Sequence, residues 1–173
     1  MKKLSLVLVM AALIASGCSQ KELSREEAYK LISKEKQYPK VLDYDMFYSD
    51  PQHAARVLNK GLESDGLVTV DRTQKLKDVG KPLIHFTDKA KPFLIGGPSD
   101  GIQKVKIADQ EMGEITAIIP DKSNNTAIVE YTVLYKNITP FSVLLKRDLN
   151  KPEKKEAYFV LADTGWMIRR QKM

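Results

Sequence analysis

The sequence predicts an α+β fold: a helical N-terminal half bearing a small β wing, followed by an antiparallel β meander of about five strands. Three observations lead there. Before about residue 95 the apolar residues recur at helical spacing, as in Ala54, Ala55, Val57, Leu58 and Leu62. From Ile102 onward the period is two, clearest in residues 126–136, where Ala127, Val129, Tyr131, Val133 and Tyr135 share one face. Between the two regimes stands Gly96-Gly97-Pro98-Ser99-Asp100-Gly101, the strongest run of breakers, which reads as a hinge over 96–101. The two subdomains expected on either side are 24–95 and 102–173.

The chain opens with a different kind of signal. Lys2 and Lys3 precede an apolar run, Leu4 to Ala15. That run is well short of the ~18 residues a permanent membrane span needs. Ala15, Ser16 and Gly17 are small and lead straight into Cys18, the single cysteine of the chain. Ile14-Ala15-Ser16-Gly17-Cys18 resembles the lipobox of bacterial prolipoproteins, although that family most often has Leu where Ala15 stands. The resemblance implies that residues 1–17 are a cleaved signal peptide and that Cys18 carries a thioether-linked diacylglycerol. Residues 18–23 would then be a short lipidated tether, and the membrane a partner through the lipid. Ser19, not Asp, follows the cysteine. In enteric-type lipoproteins this favours the outer membrane facing the periplasm over the inner membrane.

Removing 17 residues from 173 leaves 156, enough for one domain or two small interlocked ones. Without Lys2 and Lys3, 26 Lys+Arg face 22 acids, a formal charge of +4 spread along the chain. A lysine-rich solvated surface is the simplest reading of that charge. With Cys18 acylated no thiol remains, so no disulfide is available and stability rests on an apolar core. Two histidines, His53 and His85, do not make a zinc site. No cofactor is expected.

Ser24-Arg25-Glu26-Glu27 has the form of a capping box, with Ala28, Leu31 and Ile32 on one helical face after it. Pro39 ends that helix by about Tyr38. Leu42, Tyr44, Met46 and Tyr48 alternate as in a short strand. Asp50-Pro51 starts a second helix, running to about Ser64. Leu67 to Val70 and Leu83 to Phe86 read as short strands around a polar loop, and Thr87-Asp88 caps a brief helix through about Leu94. Leu58, Leu62, Gly66-Leu67-Val68 and Leu83-Ile84-His85-Phe86-Thr87 together resemble the end of a winged-helix domain. Only one clear helix precedes Leu67, where that family has two. Arg56 and Lys60 on the helix are countered by Glu63 and Asp65, so its surface lacks the positive density that duplex binding requires. No nucleic-acid partner is expected.

In the second half, Val105 and Ile107 mark one strand, and Ile115, Ala117 and Ile119 another that Pro120 ends. Thr126 to Lys136 is the longest. Phe141 to Leu145 is a short apolar segment before a charged loop, and residues 158–161 and 166–168 form a hairpin turned by Asp163-Thr164-Gly165.

No motif assigns a catalytic residue. Gly96 and Gly101 have phosphate-loop spacing, but Ile102 and Gln103 stand where Lys and Ser/Thr are needed. No serine sits in a Gly-x-Ser-x-Gly elbow. The acidic pairs Asp43/Asp45 and Glu26/Glu27 lie in polar or helix-start contexts. The expectation is a non-enzymatic, lipid-anchored envelope protein that binds a protein partner or an envelope polymer. One alternative is a small hydrophobic-ligand carrier with a pocket lined by Tyr131, Tyr135 and Trp166. A second is an envelope hydrolase with an unrecognised site. Lys146, Arg147, Lys151, Lys154 and Lys155, with Arg169, Arg170 and Lys172, are candidates for a basic patch facing an anionic partner.

Overall fold

The computed structural model describes residues 22–169. Residues 1–17, Cys18, Ser19, Arg170 and Lys172 lie outside the described residues, so the expected signal peptide, lipidation site and chain end do too.

Helix α1 spans Arg25–Lys36. Ser24 Oγ accepts the Glu27 backbone N–H at 3.1 Å, satisfying one orphan donor of the first turn. Glu26 and Glu27 in the first turn and Lys34 and Lys36 in the last complement the helix dipole. The chain leaves the helix at Gln37, in the left-handed region at φ 57°. Strand β1, Lys40–Phe47, follows directly. Helix α2, Pro51–Asn59, is capped by Asp50, which accepts the Gln52 N–H at 2.8 Å. Next come β2 (Val68–Val70) and β3 (Ile84–Phe86), which pair with each other, and a single 3₁₀ turn over Lys91–Phe93. The remaining strands are β4 (Leu94–Ser99), β5 (Ile102–Asp121), β6 (Thr126–Lys136), β7 (Glu153–Ala162) and β8 (Gly165–Ile168), with a 3₁₀ segment at Pro140–Leu144 between β6 and β7.

The expected helical N-terminal half is corrected by this architecture. The described residues are mostly β, 44% strand against 22% helix, and hold two α-helices and a curled antiparallel sheet. Three local causes account for the difference. Residues 40–47 form an eight-residue strand that pairs with β5 from Phe47↔Ile102 to Lys40↔Gln110, so the first half contributes to the large sheet. The second helix stops at Asn59, because Gly61 and Gly66 take positive φ and fold the following residues into turns. Pro92 reduces the expected helix after Thr87 to one 3₁₀ turn.

The large sheet has the order β1-β5-β6-β7-β8, with β4 also on β5. All pairings are antiparallel. The breaker run 96–101 lies in β4 and in the turn into β5, where Asp100 and Gly101 have positive φ. The two strands expected around Val105 and Ile115 are one 20-residue strand, β5, whose register shifts between Met112 and Ala117. Such bulges bend a strand and sharpen its twist. The bend lets β5 serve two cores. One holds Met46, Val57, Leu62, Leu67, Ile107 and Phe141, beside α2 and the β2–β3 hairpin. The other holds Ala28 and Ile32 of α1 against Ile115, Val129, Phe159 and Trp166. Tyr135 packs against both.

Candidate functional site

An open cleft of about 470 Å³ lies between the end of α2 and the segment that follows β6. Asn59 and Lys60 form one side; Ile138, Ser142, Val143 and Leu145 the other; Arg147 to Asn150 close it. The second side is held rigidly. Thr139 N–H donates to Ile107 O at 2.8 Å and its hydroxyl to Lys106 O at 2.5 Å, pinning the 3₁₀ segment to β5. Phe141 and Leu144 point into the first core, which leaves Ser142 and Val143 facing the cleft. Leu149 is buried, and Asp148 accepts the Asn150 N–H at 2.9 Å, so the closing loop is fixed at both levels.

Arg147 joins the cleft to a charged cluster on the sheet. Its guanidinium lies 5.0 Å from the centroid of the Tyr135 ring and donates to Glu153 Oε2 at 2.8 Å. The same carboxylate accepts from the Tyr135 hydroxyl and the Lys155 ammonium. Gln110 donates to the Tyr135 oxygen at 3.4 Å. Partial burial alone would raise the Glu153 carboxyl, but donation from Lys155 and Tyr135 and the Arg147 charge outweigh it and hold it below its ordinary range. Burial, then donation to Glu153, pushes the Tyr135 hydroxyl up. Glu153 is thus an ionised acceptor whose lone pairs are engaged. The cluster orients Arg147 at the rim of the cleft, where the chemistry of its guanidinium is that of a donor to carboxylate, phosphate or carbonyl oxygens.

The residues expected for a ligand pocket are placed differently. Tyr131 and Trp166 are buried in the second core, packed among Val129, Val133 and Phe159. Burial, followed by the neighbouring Tyr38, raises the Tyr131 hydroxyl above its ordinary value. Tyr135 sits at the waist between the cores, engaged with Glu153. The lining of the cleft contains none of the three.

The expected basic patch is brought together in part. Arg147 and Lys155 share Glu153, and Lys151 lies 3.8 Å from Asp148. Lys146 and Lys154 are exposed near them. Arg169 is also exposed, but its backbone N–H donates to Tyr158 O, four residues along β7 from Lys154, so it belongs to a different part of the sheet. The acidic pairs are engaged on the surface: Asp43 and Asp45 both bind Lys104, at 2.9 and 3.1 Å, and Glu26 binds Lys30 at 2.7 Å. His53 Nδ1 accepts the Phe47 N–H at 2.8 Å, and His85 lies 3.0 Å from Asp71.

No protein-family model matches this chain, and no curated protein or solved structure is similar to it at a significant level. The site therefore stands on its own geometry. Sequence reasoning missed the cleft. Its only trace there is the spacing after Thr139-Pro140, where Phe141 and Leu144 fall three apart as in a 3₁₀ turn. A second feature also escaped it: in the loop between β2 and β3, Leu76 and Val79 are 92% and 71% exposed.

Proposed function

We propose that this chain is a lipid-anchored protein of the bacterial cell envelope, non-enzymatic, that binds a protein partner or an envelope polymer. The observation that carries the reading is the apolar run Leu4 to Ala15 closing on Ala15-Ser16-Gly17-Cys18, with no other cysteine in the chain. The outer membrane, facing the periplasm, is its proposed location, on the strength of Ser19. Two features of the fold support binding in preference to carriage. Tyr131 and Trp166 are consumed by the core, and the cleft is open, of mixed polarity and flanked by Lys60 and Arg147. Such a surface suits a segment of a larger molecule laid across it, whereas a small apolar ligand requires an enclosed apolar cavity.

The test is photo-crosslinking in intact envelopes. A benzophenone side chain at Val143 or Lys60 is expected to give one discrete adduct, and the same group at Lys36 on α1 none. Equal, diffuse labelling from all three positions would contradict binding through the cleft.

A further inference from the structure

The first described residue lies at one end of the molecule. Glu22 Oε1 is 3.6 Å from Lys122 Nζ, in the turn between β5 and β6. Three residues later, the Arg25 guanidinium donates to the carbonyls of Ile115 and Thr116 on β5. The turn between β7 and β8 lies at the same end, because Asp121 pairs with Thr126 and Thr126 with Val160. The loop bearing Leu76 and Val79 emerges at the opposite end of β5. Asp71 N–H donates to Leu83 O, Leu83 N–H to Tyr48 O, and Tyr48 N–H to Gly101 O beside the start of that strand.

Near the Glu22 end, the sheet face turned away from α1 carries an apolar band. Ile119, Ile128 and Tyr158 are cross-strand neighbours in one row, and Val160 and Met167 in the next. Ile119 is 49% and Met167 47% exposed. Arg169 flanks the row beside Tyr158, and Lys122 lies at the turn. The Tyr158 hydroxyl donates to Glu156, which lies opposite Glu130 in the row behind, and Asp121 and Thr126 complete the row of Val160 and Met167, so the apolar band is bordered by acids as well as by Lys122 and Arg169.

We propose that this band and the adjoining β5–β6 turn rest on the surface of the bilayer that anchors Cys18, and that the Leu76/Val79 loop points away from it. The inference depends on the lipid anchor proposed above. Its physical basis is reach. Four peptide units separate Cys18 from Glu22, at most about 14 Å of extended chain. A thioether at Cys18 buries its acyl chains in the membrane, so the Glu22 end of the domain has to lie within that distance of the headgroups. The β5–β6 turn lies beside Glu22, and the band adjoins that turn through Ile119 and Ile128. An apolar centre, an interfacial tyrosine and flanking cations form the combination that settles at a headgroup boundary. The strand β5, some 60 Å in contour at about 3.3 Å per residue, carries the opposite end outward.

The test uses the full chain, processed and acylated, in vesicles of phosphatidylethanolamine and phosphatidylglycerol. Since the chain has one cysteine, Lys122→Cys, Met167→Cys and Lys77→Cys each give a single free thiol for a nitroxide label. On vesicle-bound protein, access of an aqueous nickel chelate is expected to be severalfold lower at positions 122 and 167 than at 77. Equal access at all three positions, or protection at 77 alone, would overturn the orientation. Mass spectrometry of the same samples separates the two claims. Lipid on Cys18 with equal access refutes the orientation alone; no lipid on Cys18 refutes the anchor and, with it, the orientation.

Discussion

Gly113 on β5 faces Thr132 on β6 so closely that a Cβ at position 113 would lie 2.3 Å from Thr132 Oγ1. Thr132 is buried, and its hydroxyl also accepts the Glu114 N–H at 3.1 Å, at the place where the β5 register shifts. A methyl group there has to displace a buried hydroxyl on a stiff β-branched side chain.

Gly113→Ala is therefore expected to destabilise the fold by about 1–3 kcal/mol, the usual scale of overpacking. Urea denaturation measures it, and a double-mutant cycle with Thr132→Ala locates the cause. The alanine at 113 should cost less once the hydroxyl is gone. Equal cost in both backgrounds would mean that the clash is not the reason.

His53 makes the stability depend on pH in a defined direction. Burial, chiefly, lowers its pKa from the ordinary 6.5, and Nδ1 must be unprotonated to accept the Phe47 N–H. Below the ordinary value the unfolded chain takes up a proton more readily than the folded one. The contribution is therefore present above pH 6.5 and is lost as pH falls through the lower folded value. The urea midpoint is expected to drop over that interval, and His53→Gln to flatten that part of the profile. An unchanged profile in the variant would contradict the assignment.

Glu153 ties Arg147, Lys155 and Tyr135 together. Glu153→Gln removes the charge that both cations share and is expected to cost about 1–2 kcal/mol by urea denaturation at neutral pH. It should also loosen Arg147 at the cleft, and so weaken crosslinking from Val143. Unaltered stability together with unaltered crosslinking would show that the cluster does not organise the cleft.

The legible part of the fold was what periodicity encodes. The helix after Ser24 and the β6 alternation are as the sequence reads, and Asp50-Pro51 does start a helix. What was hidden is tertiary. Nothing local in Lys40 to Phe47 says that this strand joins β5, some sixty residues on, in place of a neighbour. The polar stretch Asp109 to Glu114 interrupts the apolar alternation, so one bent strand reads as two; the bulges that accommodate it depend on Gly113 and Thr132. The cleft is made by residues about eighty positions apart, Lys60 and Val143, and neither is unusual in its own neighbourhood. Tyr131 and Trp166 show the converse: aromatic residues at strand spacing fill the core.

The described residues pack into two apolar cores and include neither a cysteine nor a cluster of side chains able to hold a metal ion. A soluble chain beginning at Ser19 is expected to melt in one cooperative transition without lipid, metal or oxidant. A broad transition, or one that sharpens only on adding a metal, would contradict that.

The proposed anchor is a lipid on Cys18. The most direct measurement is incorporation of radiolabelled palmitate into the protein in its own cells, comparing the native chain with Cys18→Ser. The native chain is expected to be labelled and to begin at residue 18, while the serine variant accumulates unlabelled at precursor size, since a hydroxyl forms no thioether. Equal labelling of the two chains, or an unlabelled native chain, would contradict it.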